Sequence, residues 1–115
     1  MSTNPERHVD VGALQDLKDI MEGEFKTLID TFISDSSSKL EELAAAVATN
    51  DADALRKVAH SLKGSSSNIC AGELSELARQ LEFMGKEGST QGSIDILQRM
   101  RDEFATVASI LQEHV

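Results

Sequence analysis

The sequence predicts an all-α fold: an antiparallel up-down four-helix bundle with a short additional N-terminal helix. Three observations carry this. Apolar residues recur at spacings of three and four along four long stretches, the mark of helices with one buried face. The stretches are joined by short runs rich in Asn, Asp, Gly and Ser, which suit antiparallel neighbours. No run of period-2 alternation is long enough for a strand. The 115 residues fit one domain with a modest core. That core is aliphatic, because hydrophobic residues make up 40% of the chain and aromatic residues only 3%.

Residues 1–9 read as a flexible N-terminus, polar and holding the only proline, Pro5; residues 10–115 read as a single helical-bundle domain. Asp10 is the expected N-cap of the short helix, with Val11, Leu14, Leu17, Ile20 and Met21 on its inner stripe. Gly23 marks a break. A long helix follows over about 24–49, with Phe25, Leu28, Ile29, Phe32, Ile33, Ser36, Leu40, Leu43, Ala44 and Val47 inward. Ser36-Ser37-Ser38 form helix weakly, but the stripe keeps its phase across them, which argues for one helix. Asn50-Asp51-Ala52-Asp53 reads as a turn and N-cap signal. The third helix spans about 52–68, and Ile69-Cys70-Ala71-Gly72 is a tight connection. The fourth spans about 73–85, with Leu74, Leu77, Ala78, Leu81 and Met84 inward. Phe83 falls on its opposite face and either packs against a neighbouring loop or contacts a partner. Residues 85–93 form a loop. The last helix runs over about 94–113, with Ile94, Leu97, Met100, Phe104, Val107, Ala108 and Leu111 inward.

Composition excludes several classes of function. A net charge of −9 and a pI near 4.6 argue against binding nucleic acid, which calls for a basic face, and against anionic membrane surfaces. No stretch approaches the roughly 18 apolar residues of a membrane span, and residues 1–10 lack the apolar centre of a signal peptide. The single cysteine, Cys70, excludes an internal disulfide and fits a reducing compartment. A cytoplasmic monomer is the simplest expectation. Cys70 reads as a small buried residue rather than a reactive thiol.

The informative run is Ala59-His60-Ser61-Leu62-Lys63-Gly64-Ser65-Ser66-Ser67-Asn68. Leu55, Val58, Ala59, Leu62 and Ile69 define the inner face of this helix. His60 falls about 150° away from it, on the solvent side together with Arg56, Lys63, Gly64 and Ser67. Residues 55–69 hold Arg56, Lys57 and Lys63 and no acidic residue, a basic spot on an acidic protein. Glycine within a helix costs about 1 kcal/mol against alanine. Accepting that cost one turn from an exposed histidine points to a group that approaches the ring closely. A nucleophilic ring nitrogen, a neighbouring cation and free space together read as a phosphoryl-accepting site. Against this stands the ordinary surface histidine, which the following glycine and three serines argue against.

Antiparallel geometry places neighbours beside His60. A turn near residue 71 sets it level with about Glu82, and a turn near 50–51 sets it level with about Glu41 and Gly64 with about Ser37. The surface that a partner would meet therefore draws on Ser37, Leu40, Glu41, Arg56, Arg79, Glu82 and Phe83. Which of them point outward is left open by the spacing.

The run 59–66, with Leu74, Leu77, Ala78 and the pair Leu81-Glu82 downstream, resembles the signature of histidine-containing phosphotransfer (HPt) domains, and the similarity extends from about Val11 to Leu111. The resemblance implies a phosphorelay intermediate. His60 would take a phosphoryl group from the phospho-aspartate of a receiver domain and pass it to the aspartate of another. Lys63 would stabilise phosphoryl charge, Gly64 would leave room for the receiver, and Ser67 would support the site. Implied partners are the receiver domains of hybrid sensor histidine kinases and of a response regulator. No cofactor or metal of the chain's own is expected, with Mg²⁺ on the receiver. Where the family usually has glycine this chain has Cys70, which puts the turn geometry in question.

The chain has no nucleotide-binding constellation, so a phosphocarrier without kinase activity of its own is expected. Because helices fill the chain, it reads as a free-standing carrier. A sensor-kinase dimerisation domain would carry an acidic residue and then a proline after the histidine; here Ser61 and then Lys63-Gly64 follow. A metal-binding bundle would need a second ligand beside His60, yet Lys57 and Gly64 occupy the i−3 and i+4 positions. His8 and His114 read as ordinary terminal residues. The alternative is a non-catalytic helical adaptor that binds partners through a bundle face.

Overall fold

A computed structural model describes residues 5–115, with side chains from Arg7 onward. The elements are α1 (Pro5–His8), α2 (Val11–Met21), a 3₁₀ turn (Glu22–Glu24), α3 (Phe25–Ala48), α4 (Ala52–Asn68), α5 (Gly72–Lys86) and α6 (Ser93–Glu113). No strand occurs among the described residues. Helices α3 to α6 form the antiparallel bundle, each packed on its chain neighbour, with α6 closing back on α3. Ile29, Leu43, Leu55, Leu62, Leu74, Leu81, Met100 and Leu111 fill its centre. As expected, α3 runs unbroken through Ser36-Ser37-Ser38.

Local chemistry sets the helix ends. Asp10 and Asp51 accept from the backbone N–H of Ala13 and Ala54, each at 3.0 Å, and such caps contribute about 1 kcal/mol each. Helices α3, α4 and α5 all stop in one way. A residue just past the end takes positive φ, at Asn50 (53°), Cys70 (67°) and Gly88 (76°). Two reverse hydrogen bonds then close each end, as in Ala71 N to Ser66 O at 2.9 Å and Cys70 N to Ser67 O at 3.1 Å. The turn that Cys70 put in question is thus the ordinary one, held by a residue with a Cβ. Cys70 itself is half-buried rather than buried, packed against the edge of the core.

Four further expectations need correction. Residues 1–4 of the segment read as flexible lie outside the described residues, but Pro5–His8 form a helical turn and Val9 is fully buried. His8 is not an ordinary terminal residue: its Nδ1 lies 2.8 Å from the buried carboxylate of Glu103. Ile20 and Ile94, placed on inner stripes, are exposed; each lies in the terminal turn of its helix, on the flank away from its buried residues Leu14 and Ser93. Lys86, assigned to a loop, continues α5.

Gly85 explains how closely α4 and α5 pack. A Cβ there would stand 2.7 Å from Ala52 O, Arg56 N and Arg56 Cβ, far inside van der Waals contact. Its absence lets the C-terminal half of α5 press against the N-terminal half of α4, and the functional candidates lie on that seam.

Candidate functional site

His60 projects from the middle of α4 with its side chain 65% exposed. Helix α4 buries Leu55, Ala59, Leu62 and Ser66, which turns His60 outward and toward α5. There Glu82 meets it. Glu82 Oε2 lies 2.8 Å from His60 Nδ1, and Oε1 lies 2.6 Å from Lys63 Nζ. Lys86 Nζ, one turn further along α5, stands 3.8 Å from Glu82 Oε2. The Glu82 side chain is only 7% exposed, so this carboxylate is buried beneath three basic groups.

The electrostatics follow. The hydrogen bond from Lys63, ahead of that from His60, holds the Glu82 carboxyl below the usual glutamate range against the opposing cost of burial. Glu82 is therefore ionised at neutral pH and can only accept hydrogen bonds. The ring nitrogen that faces it, Nδ1, must then be the protonated one, which leaves the Nε2 lone pair as the free nucleophile. A third anchor lies one turn on: Ser75 Oγ donates to Lys63 O at 3.1 Å and shares a 2.7 Å hydrogen bond with Ser67 Oγ. Ser67 thus stitches α4 to α5 below the site.

The structure brings together only some of the expected residues. Lys63, expected to be exposed, is two-thirds covered and already paired with Glu82. Gly64 faces open space, with nothing within 4 Å of where a Cβ would stand. Arg56 and Lys57 share Asp53, at 2.9 and 3.1 Å, and Arg79 pairs with Glu76 at 2.6 Å. Phe83 is exposed. Of the α3 residues placed on the partner surface, Ser37 is exposed, Leu40 is in the core, and Glu41 leans toward α6, 3.5 Å from Arg101. The reason is geometric: α3 flanks α4 along Ser65, Asn68 and Ile69, whereas His60 leans to the side that faces α5.

Glu82 belongs beneath the ring rather than on the partner surface, and Lys86 was not anticipated. A signal for both existed. Ala78, Glu82 and Gly85 form an i, i+4, i+7 row of one acid between two small residues, and Lys86 follows Glu82 by one turn. Among the described residues, no group of three or more His, Cys, Asp or Glu side chains could hold a metal ion. No helix among them is long and apolar enough to cross a membrane.

A bundle with one exposed histidine braced by a buried carboxylate and flanked by lysines is the architecture of a phosphocarrier. The model of the Hpt domain family matches residues 27–110, and the chain belongs to that family. Among solved structures it is similar to histidine-containing phosphotransfer protein B (HptB) from Pseudomonas aeruginosa PAO1, with a TM-score of 0.89, 38% identity and coverage of 93% of both chains. No curated protein sequence matches the chain. The chain is accordingly a phosphotransfer intermediate of two-component signalling, from a family that acts with receiver domains of kinases and regulators.

Proposed function

We propose that His60 carries the phosphoryl group between two receiver domains. Its Nε2 attacks the phosphorus of an aspartyl phosphate on the donor receiver, and the aspartate of the acceptor receiver later takes the group back off. The single observation that carries this reading is the pairing of an exposed imidazole with a buried, ionised carboxylate on Nδ1, which aims a nucleophilic Nε2 at solvent. Transfer is in-line, with negative charge spread over the phosphoryl oxygens. Lys63 and Lys86 supply cations within a side chain's swing of that position. Gly64 leaves the adjoining surface flat enough for a receiver to seat its loops. The Mg²⁺ of the reaction belongs to the receiver, and the chain needs no cofactor of its own. It forms a covalent intermediate, turns nothing over alone and acts as a cytoplasmic monomer.

The test is phosphotransfer from a phosphorylated receiver domain. The wild-type chain becomes labelled and a His60→Gln variant does not. Equal labelling of the two, or none of the wild type by any receiver of the source organism, would instead favour an adaptor that binds partners through a bundle face.

A further inference from the structure

We infer that Phe83 is a specificity-determining residue: among receiver domains it selects those that present an apolar hollow beside their phosphoryl-bearing aspartate. This rests on the relay reading above and adds what decides which receivers the chain serves.

An exposed apolar side chain is ordinary by itself; the place of this one is what counts. Phe83 is 57% exposed. Among the described residues the other large apolar side chains left exposed are Ile20 on α2, Ile94 on α6 and Val115 at the chain end. Phe83 alone stands on one of the two helices that frame His60. It directly follows Glu82, whose carboxylate touches the ring at 2.8 Å, so the two Cα atoms are about 3.8 Å apart. A stable protein complex buries about 800 Å² on each partner, a patch of about 16 Å radius. A receiver that brings its aspartate to Nε2 of His60 centres such a patch on the ring and so covers Phe83 as well.

The phenyl ring has the surroundings of an anchor. Glu82 faces α4, and Phe83 lies about 100° further round α5, opposite the core residues Leu74 and Leu81. Arg79, one turn before it, is clamped by Glu76 through two contacts of 2.6 Å, and exposed Glu87 stands one turn after it. Polar groups thus flank an aromatic centre, the arrangement in which a ring contributes most to binding once water is shut out. A ring of this kind buries roughly 150–250 Å².

Charge sets how the partner lies. The receiver brings carboxylates, namely the aspartate that bears the phosphoryl group and the groups that hold its Mg²⁺. Lys63 and Lys86, which approach Glu82 at 2.6 and 3.8 Å, match that acidic pocket in sign. Lys86 lies on the flank of α5 between Glu82 and Phe83, so the edge of the acidic pocket adjoins whatever covers the phenyl ring. An apolar hollow there gains the ring's burial. A charged or polar residue there would lose water to a phenyl face that offers it no hydrogen bond, which disfavours the receiver that carries it.

The experiment follows phosphotransfer from phosphorylated receiver domains of the source organism, each at a series of concentrations, to wild type, Phe83→Ala, Phe83→Leu and Ile94→Ala. For receivers that serve the wild type, Phe83→Ala should raise the half-saturating concentration about 10- to 30-fold, with the rate at saturation kept within about twofold. Phe83→Leu should recover most of that loss, and the spread among receivers should narrow in Phe83→Ala. Ile94→Ala, comparably apolar and exposed, should behave as wild type. An unchanged half-saturating concentration in Phe83→Ala, an equal rise in Ile94→Ala, or a loss confined to the rate at saturation would overturn the inference. Should Phe83→Ala not fold, ¹⁵N spectra of the wild type decide: an added receiver should move the amide signals of residues 79–87 along with those around His60, and signals of 79–87 that stay in place overturn the proposal. Failure of every receiver to label the wild type is a distinct result, which removes the relay reading itself and this inference with it.

Discussion

Lys63 and Glu82 meet at 2.6 Å across the α4–α5 seam, so the cation that would steady an incoming phosphoryl group is already engaged by a buried anion. Phosphoryl oxygens must share or replace that partner. Lys63→Ala should slow transfer by about 10- to 100-fold, less than the roughly 100- to 1000-fold that loss of one preorganised donor can cost, because Lys86 supplies part of the remaining positive charge. Stopped-flow or label-transfer kinetics would check this, and an unchanged rate would remove Lys63 from the mechanism. Because the residue is two-thirds covered and bonded, a stability loss of about 1 kcal/mol should accompany it.

Gly85→Ala should be more damaging to the fold than any substitution at Gly64. A Cβ at residue 85 meets backbone atoms of Ala52 and Arg56 at 2.7 Å, whereas one at residue 64 meets nothing within 4 Å. We expect Gly85→Ala to cost about 1–3 kcal/mol in urea denaturation and to part His60 from Glu82, slowing transfer. Gly64→Ala should leave stability nearly unchanged.

Two buried glutamates should give opposite pH signatures. The carboxyl of Glu82 lies below the ordinary glutamate value of 4.5, chiefly through its bond from Lys63. Its contribution to stability is therefore complete above the unfolded-state value and is lost as pH falls through the lowered one. Burial pushes the Glu103 carboxyl above 4.5. Its contribution is complete below the unfolded-state value and is lost as pH rises through the raised one. Thermal denaturation from pH 3 to 8 should show Glu82→Gln destabilised most near neutrality and least at pH 3. Glu103→Gln should gain about 1 kcal/mol on the neutral side, since its amide can still accept from His8. Parallel curves for the two variants would refute this assignment.

Cys70→Gly should stabilise the chain. Cys70 holds φ at 67°, where a Cβ costs about 1 kcal/mol or more, and glycine sits there freely. A gain of up to about 1 kcal/mol in denaturant unfolding is expected, net of the freedom glycine adds to the unfolded chain. A loss instead would mean that the thiol's contacts outweigh the backbone strain.

How much of this was legible in the sequence depends on whether the determining contact was local. Helix phase, the cap at Asp10, a turn and cap within residues 50–53 and the continuity of α3 through its serines follow from spacing within one element, and they read directly. The level of His60 against Glu82 followed from counting residues back from a turn. Which side of α4 the histidine leans to did not, and so Leu40 is expected on a surface although it lies in the core. The burial of Glu82 depends on Gly85 meeting Arg56 from another helix, a contact no single stripe encodes. His8 and Val9 were missed for the same reason: their partners lie far along the chain, at Glu103 and in the core.

Those distant partners bear on how the molecule folds. His8 to Glu103 and Lys18 to the His114 carbonyl span 95 and 96 residues, and Asp10 N reaches Cys70 O at 2.9 Å. The helix hairpins, by contrast, join chain neighbours. Closing so long a loop carries an entropy cost that falls due before its contacts form, so the N-terminal strap should dock after the rate-limiting barrier. His8→Ala should then steepen the loss of the native state by raising the unfolding rate and leave the refolding limb of a chevron plot nearly in place. Equal movement of both limbs would put the strap in the folding nucleus. Residues 5–10 would thus act as a latch, setting how long the carrier persists once folded rather than how fast it forms.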